Sequence, residues 1–102
     1  MTHPSKKKGN RYEHELVRQA RASGIEAKRA YGSNGEALGL HAEVDCVIGK
    51  FKVQAKRRKS IASFMSPSEN VDVQAIRADF GETLIVMRFS DWLDLVKGQG
   101  HV

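Results

Sequence analysis

Asp45, Gln54 and Lys56 stand in the stretch Val44–Lys59, VDCVIGKFKVQAKRRK, whose residue types suit the chemistry of phosphodiester hydrolysis. Both halves of the stretch alternate, with Val44, Cys46 and Ile48 on one face of a first strand and Phe51, Val53 and Ala55 on one face of a second. Gly49-Lys50 suits a two-residue type II′ turn, a loop length that sets 48 opposite 51 and therefore 45 opposite 54. Directly opposed side chains lie about 5 Å apart at Cβ, and Lys56 follows two residues later on the same face. A carboxylate, an amide oxygen and an ammonium are thereby expected in one patch. Such hydrolysis needs a cation to neutralise developing charge and acidify a water. Mg²⁺ takes hard oxygen ligands and keeps several waters. Glu13, Asp45, the Gln54 side-chain oxygen and the Ala55 carbonyl are the expected metal ligands. Lys56 would orient or deprotonate the attacking water or stabilise the transition state. Ser33 and Arg29 would contact the scissile or adjacent phosphate.

The fourth member of this set must arrive from a helix. NRYEHELVRQARAS reads as helical from about Gly9 to Ser23, with Asn10 as N-cap and Gly24 past the end. Leu16, Val17 and Ala20 fall within about 60° of Glu13 on the helical wheel, so Glu13 points inward. A carboxylate aimed at a core is costly unless it is paired or binds a metal. Either a functional role or a salt bridge to Arg29 or Lys56 meets that demand. Ile25–Ala30 reads as a short edge strand, and residues 31–43 as a long glycine-containing loop. Ser66-Pro67-Ser68-Glu69 carries the signature of a helix start, predicting a helix to about Phe80 that buries Val73, Ile76 and Phe80. Thr83–Phe89 reads as a strand covered on both faces, and Ser90 as the cap of a last short helix. This order predicts an α/β (mixed α+β) domain with a central mixed sheet flanked by helices. Residues 9–97 form the expected single domain, between a flexible basic arm at 1–8 and a flexible tail at 98–102.

With 102 residues, the chain has room for one modest core. One cysteine, no apolar run near about 18 residues and a basic, polar start predict a soluble cytoplasmic protein. Cys46 alternates in phase with its apolar neighbours and reads as a buried structural thiol. The net charge of +5 is unevenly divided, because residues 1–59 hold 14 of the 17 Lys/Arg but only six of the 12 Asp/Glu. A basic half that contains the candidate site favours a polyanionic partner.

The run KKGNRYEHELV, then RAYGS, then VD followed by QAK, resembles the PD-(D/E)XK nuclease superfamily, and within it the archaeal-type Holliday junction resolvases. The likeness covers roughly residues 6–96. It implies a restriction-endonuclease-like nuclease core, a homodimer, Mg²⁺ or Mn²⁺ dependence and paired cuts in four-way DNA junctions. By position, Glu13 matches the first catalytic acid, Arg29 the arginine, Ser33 the loop serine, Asp45 and Gln54 the remaining metal ligands, and Lys56 the lysine. Val44 stands where the motif has proline, and the loop after Ser33 is longer than usual. Gln54 replaces an acid, so Glu43 or Glu36 compensates or the site works at higher metal concentration.

The expected DNA contacts are Lys6, Lys7, Lys8, Arg11, Arg29, Ser33, Arg57, Arg58 and Lys59, directed mainly at phosphates. Phe64, Met65 and Trp92 are the expected apolar dimer-interface residues. Two other activities share these residues: a nicking or repair nuclease of the same superfamily, and a branched-DNA-binding module that has lost catalysis.

Overall fold

The computed structural model describes residues 4–30 and 35–99. In chain order the elements are α1 (Pro4–Ala22), β1 (Ala27–Arg29), β2 (Cys46–Ile48), β3 (Phe51–Val53), β4 (Val73–Ile76), β5 (Leu84–Met87) and α2 (Phe89–Gln99). Short 3-10 turns occupy Gly35–Leu38 and Ser63–Met65. The protein is a small mixed α+β structure with two antiparallel sheets, one ordered β1-β2-β3 and one formed by β4 and β5. Among the described residues, no helix is long and apolar enough to cross a membrane.

The first helix and first sheet follow the sequence pattern closely. α1 ends where Gly24 takes φ +84°, a left-handed conformation open to glycine without steric cost, and the Ile25 N–H closes back on the Ala20 carbonyl at 3.0 Å. Ile48 pairs with Phe51, Val47 with Lys52 and Cys46 with Val53, the register the two-residue turn requires. Gly49 has positive φ and Lys50 does not, as a type II′ turn demands. β1 pairs with the other edge of β2, setting Ala27 against Ile48 and Arg29 against Cys46.

The core lies between α1, this sheet and α2. Val17 and Ala20 of α1, Ile25, Ala27, Cys46 and Ile48 of the sheet region, and Leu93 and Val96 of α2 form one buried cluster. Trp92 and Phe89, both half-buried, pack against the same cluster. Phe64 is exposed and Met65 half-buried.

Four expectations are corrected. α1 begins at Pro4 rather than near Gly9, so Asn10 lies within the helix instead of at its cap; residues 1–3 lie outside the described residues. α2 runs past Lys97 to Gln99 rather than ending at Lys97, and residues 100–102 lie outside the described residues. The expected helix from Ser66 to Phe80 is instead a turn-rich loop followed by β4. The Ser68 hydroxyl accepts the Asn70 N–H at 3.1 Å, and the carbonyls of Pro67, Ser68 and Val71 accept from the Arg88 guanidinium instead of from a following helical turn. Val73-Gln74-Ala75-Ile76 then pairs residue by residue with Leu84–Met87, a non-local partner that outweighs the local helix-start signal.

The fourth correction concerns the sheet itself, which is split rather than central and mixed. Phe80 is fully exposed at φ +67°, Val73 is exposed, and Leu84 and Ile85 are more than half exposed, so β5 is not covered on both faces.

The contrast between buried β2 and exposed β5 is measurable. Ile48→Ala should lower unfolding free energy by about 3 kcal/mol in urea titrations, because Ile48 is fully buried. Ile85→Ser, at a residue 58% exposed, should change it by less than about 1 kcal/mol. Equal losses from the two would place β5 in the core and refute this architecture.

Candidate functional site

Glu13 lies on the α1 face that meets the sheet and is only 2% exposed. Its carboxylate stands 3.7 Å from the Arg29 Nε, which reaches it from β1. The other end of the same guanidinium approaches His14 Nε2 at 2.7 Å. Because an arginine can only donate, His14 must offer a lone pair there and carry its proton on Nδ1. Arg29 therefore joins two successive residues of α1 to the first strand. Arg29 Nε is itself buried and has no hydrogen-bond partner of good geometry, so its contact with Glu13 is electrostatic.

Asp45 sits just before β2, next to the Cys46 that pairs with Arg29. Simple continuation of the register would set it against Gln54. Instead its N–H donates to the Val53 carbonyl at 2.9 Å, and its Oδ2 accepts the Ala55 N–H at 2.6 Å. The aspartate thus grips the backbone on both sides of Gln54, whose side chain is left exposed. A carboxylate taking a backbone N–H in a half-buried position is a strong, orienting interaction.

The loop before Asp45 is held by Gly35, where an added Cβ would press on the His41 carbonyl and come within 2.8 Å of the Val44 Cβ. Glycine is required there by close approach.

Electrostatics brings the two acids together. The Cys46 thiol, fully buried, is pushed up from 9.0 to about 11, first by burial, then by the negative fields of Glu13 and Asp45, with Arg29 opposing. One buried sulfur therefore feels both carboxylates, one from the helix and one from the strand. Gln54, Ala55 and Lys56 follow at the end of the hairpin and line a groove of about 670 Å³ shared with Tyr12 and Leu16 of α1. A second, smaller recess of about 300 Å³ on the other side of Gln54 is lined by His41, Glu43, Val44 and Lys52.

Other expected residues are placed less compactly. Among the described residues, no group of three or more His, Cys, Asp or Glu is arranged to hold a metal ion. Glu43, next to Gln54 in the smaller recess, is the better placed of the two acids considered to compensate for it, while Glu36 lies in the 3-10 turn at Gly35–Leu38. Arg11, Arg57, Arg58 and Lys59 are exposed, and Arg29 is turned inward toward Glu13 and His14. Lys6, Lys7 and Lys8 have helical backbone, and Ser33 lies outside the described residues.

Two features escaped the sequence reading. His14, which seemed merely to flank the helix, shares Arg29 with Glu13. His41 has its Nδ1 occupied by the Glu43 N–H at 3.0 Å, which turns Nε2 outward. Only the short spacing His41-Ala42-Glu43 hints at the second, and nothing local to α1 announces the first.

No protein-family model matches this chain, and neither the curated proteins nor the solved structures provide a match. The functional reading therefore rests on the chain's own residues.

The buried thiol supplies a test of this environment. A group whose folded pKa is raised keeps its contribution to stability below its unfolded value and loses it as pH climbs through the folded value. Stability should accordingly fall between pH 9.0 and about 11. Cys46→Ala should remove that part of the alkaline loss in paired urea melts. Native protein should resist alkylation at pH 8, and unfolded protein should react at once. Rapid alkylation of the native chain would place the sulfur, and with it the two acids, at the surface.

Proposed function

We propose that this chain is a metal-dependent, structure-selective endodeoxyribonuclease, a Holliday junction resolvase that makes paired cuts in four-way DNA junctions. The observation that carries the reading is that Arg29, which holds the buried Glu13 carboxylate, pairs across the sheet with Cys46, the neighbour of clamped Asp45, at the hairpin end that leads into Gln54-Ala55-Lys56. The donor set fits Mg²⁺ or Mn²⁺, since the Glu13 and Asp45 carboxylates, the Gln54 amide oxygen and the Ala55 carbonyl are all hard oxygens. A bound divalent ion would neutralise charge on the phosphate and acidify a water.

The chain's residues do the remainder. Arg29 holds the Glu13 carboxylate toward the sheet, and the Ala55 N–H fixes Asp45. Lys56, exposed along the groove, provides an ammonium beside the phosphate, where it positions the water or stabilises the transition state. The exposed Arg57-Arg58-Lys59 group and Arg11 meet phosphates nearby, which makes affinity steeply salt-dependent. Because two strands of a junction must be cut, a two-fold homodimer supplies two equivalent sites to a pseudo-two-fold substrate.

One observation favours a second reading, a branched-DNA-binding module without catalysis: Gln54 replaces a charged ligand and its side chain is exposed. A labelled immobile junction, titrated with Mg²⁺ and Mn²⁺ and compared with a flap and a plain duplex, separates the possibilities. Symmetric metal-dependent cuts in the junction are expected, while preference for the flap would indicate another nuclease of the same superfamily. Asp45→Asn and Lys56→Ala should abolish cleavage and retain junction binding, whereas Gln54→Glu should keep or raise it. Junction binding without cleavage at every metal concentration would reject the nuclease and support the binding module.

A further inference from the structure

The groove beside Lys56 contains more than the proposed chemistry requires. β3 crosses it, and its walls carry Tyr12 from α1 and Trp92 from α2. Phe51, at the start of β3, meets the Trp92 ring edge-on, with centroids 5.3 Å apart and an interplanar angle of 67°. Trp92 is backed in turn by Phe89 at 5.8 Å and 26°. The backing is partly buried against the core, yet Phe51 itself remains 43% exposed. An aromatic ring braced by a second ring and still exposed to solvent offers surface on which a planar group can stack.

The charge around it is one-sided. Lys52 and Lys56 both line the groove and are exposed, and no aspartate or glutamate is among its described lining residues. Gln54 and Tyr12 add polar groups able to meet the edge of a planar ligand. A groove of about 670 Å³ that combines an exposed aromatic ring, two exposed cations and polar edges matches an anionic ligand with a flat, hydrogen-bonding ring. A simple anion would leave the aromatic surface unused, and an apolar segment would leave two ammonium groups facing it.

We infer that this groove is a binding site for an unpaired nucleotide of DNA, whose base stacks on Phe51 while Lys52 and Lys56 take the adjoining phosphates. A base already splayed from its helix can enter, and a base within an intact duplex must first be unstacked. The site therefore selects DNA with unpaired residues. The inference requires neither metal nor cleavage, so it stands or falls apart from the nuclease reading.

Trp92, the only tryptophan in the chain, reports on the groove directly. The full chain is titrated with octathymidylate in the presence of EDTA, following Trp92 emission together with the anisotropy of a labelled oligonucleotide. Saturable quenching is expected, with a blunt duplex of equal length binding more weakly at the groove. Phe51→Ala should weaken octathymidylate binding about tenfold, within the range that base–aromatic stacking supplies. Lys52→Glu, a change at an exposed side chain, should weaken it at least comparably and serves as the check should the Phe51 variant fold poorly. Oligonucleotide binding with unchanged Trp92 emission would overturn the inference, as would full affinity in both variants. So would a concentration-dependent emission shift without DNA that octathymidylate fails to displace, since a second copy of the chain would then fill the groove. Loss of octathymidylate binding alongside intact metal-dependent junction cleavage would remove this site alone.

Discussion

A carboxylate inside a small core governs how the parts of this protein must sit. Glu13 is 2% exposed, and removing an ionised acid from water costs several kcal/mol unless an opposing charge compensates. Arg29 supplies that charge from β1, which obliges α1 to lie across the sheet at the height where Cys46 pairs with Arg29. A purely apolar stripe would have allowed α1 to slide or rotate over Ala27 and Ile48. The ion pair therefore contributes orientation at least as much as stability.

The same constraint shapes the end of the hairpin. Asp45 is tied to backbone, to the Val53 carbonyl through its N–H and to the Ala55 N–H through its carboxylate. These bonds draw the chain out of simple register after Val53 and leave Gln54 protruding between two pinned neighbours. Two acids are thus secured by different means, one by a side chain and one by main chain. Their fields meet at Cys46, whose burial makes it a structural thiol and excludes it as a nucleophile at neutral pH.

Away from this centre the structure is looser. Among the described residues β4 and β5 pair only with each other, and a two-stranded ribbon gains little cohesion by itself. Arg88 compensates by drawing three loop carbonyls onto the start of α2, which closes the long connection without a helix. The ribbon then bounds the groove in which Phe51 and two lysines are exposed. Local packing and the groove share one boundary, β3.

Period and turn chemistry alone determined the first half of the architecture. The inward set Glu13, Leu16, Val17 and Ala20, the stop at Gly24 and the Ile48–Phe51 register all follow from short-range rules that burial then reinforces. Those rules misjudged Ser66–Phe80, where the helix-start signal lost to pairing with a strand farther along the chain. They offered Arg29 and Lys56 alike as a partner for Glu13 without deciding between them, and could not foresee that Arg29 would also reach His14, or that Asp45 would take the Ala55 amide in place of facing Gln54. Spacing along a chain encodes which face a residue occupies. Which distant donor reaches it depends on how separate elements cross, and that is settled only when the whole chain has packed.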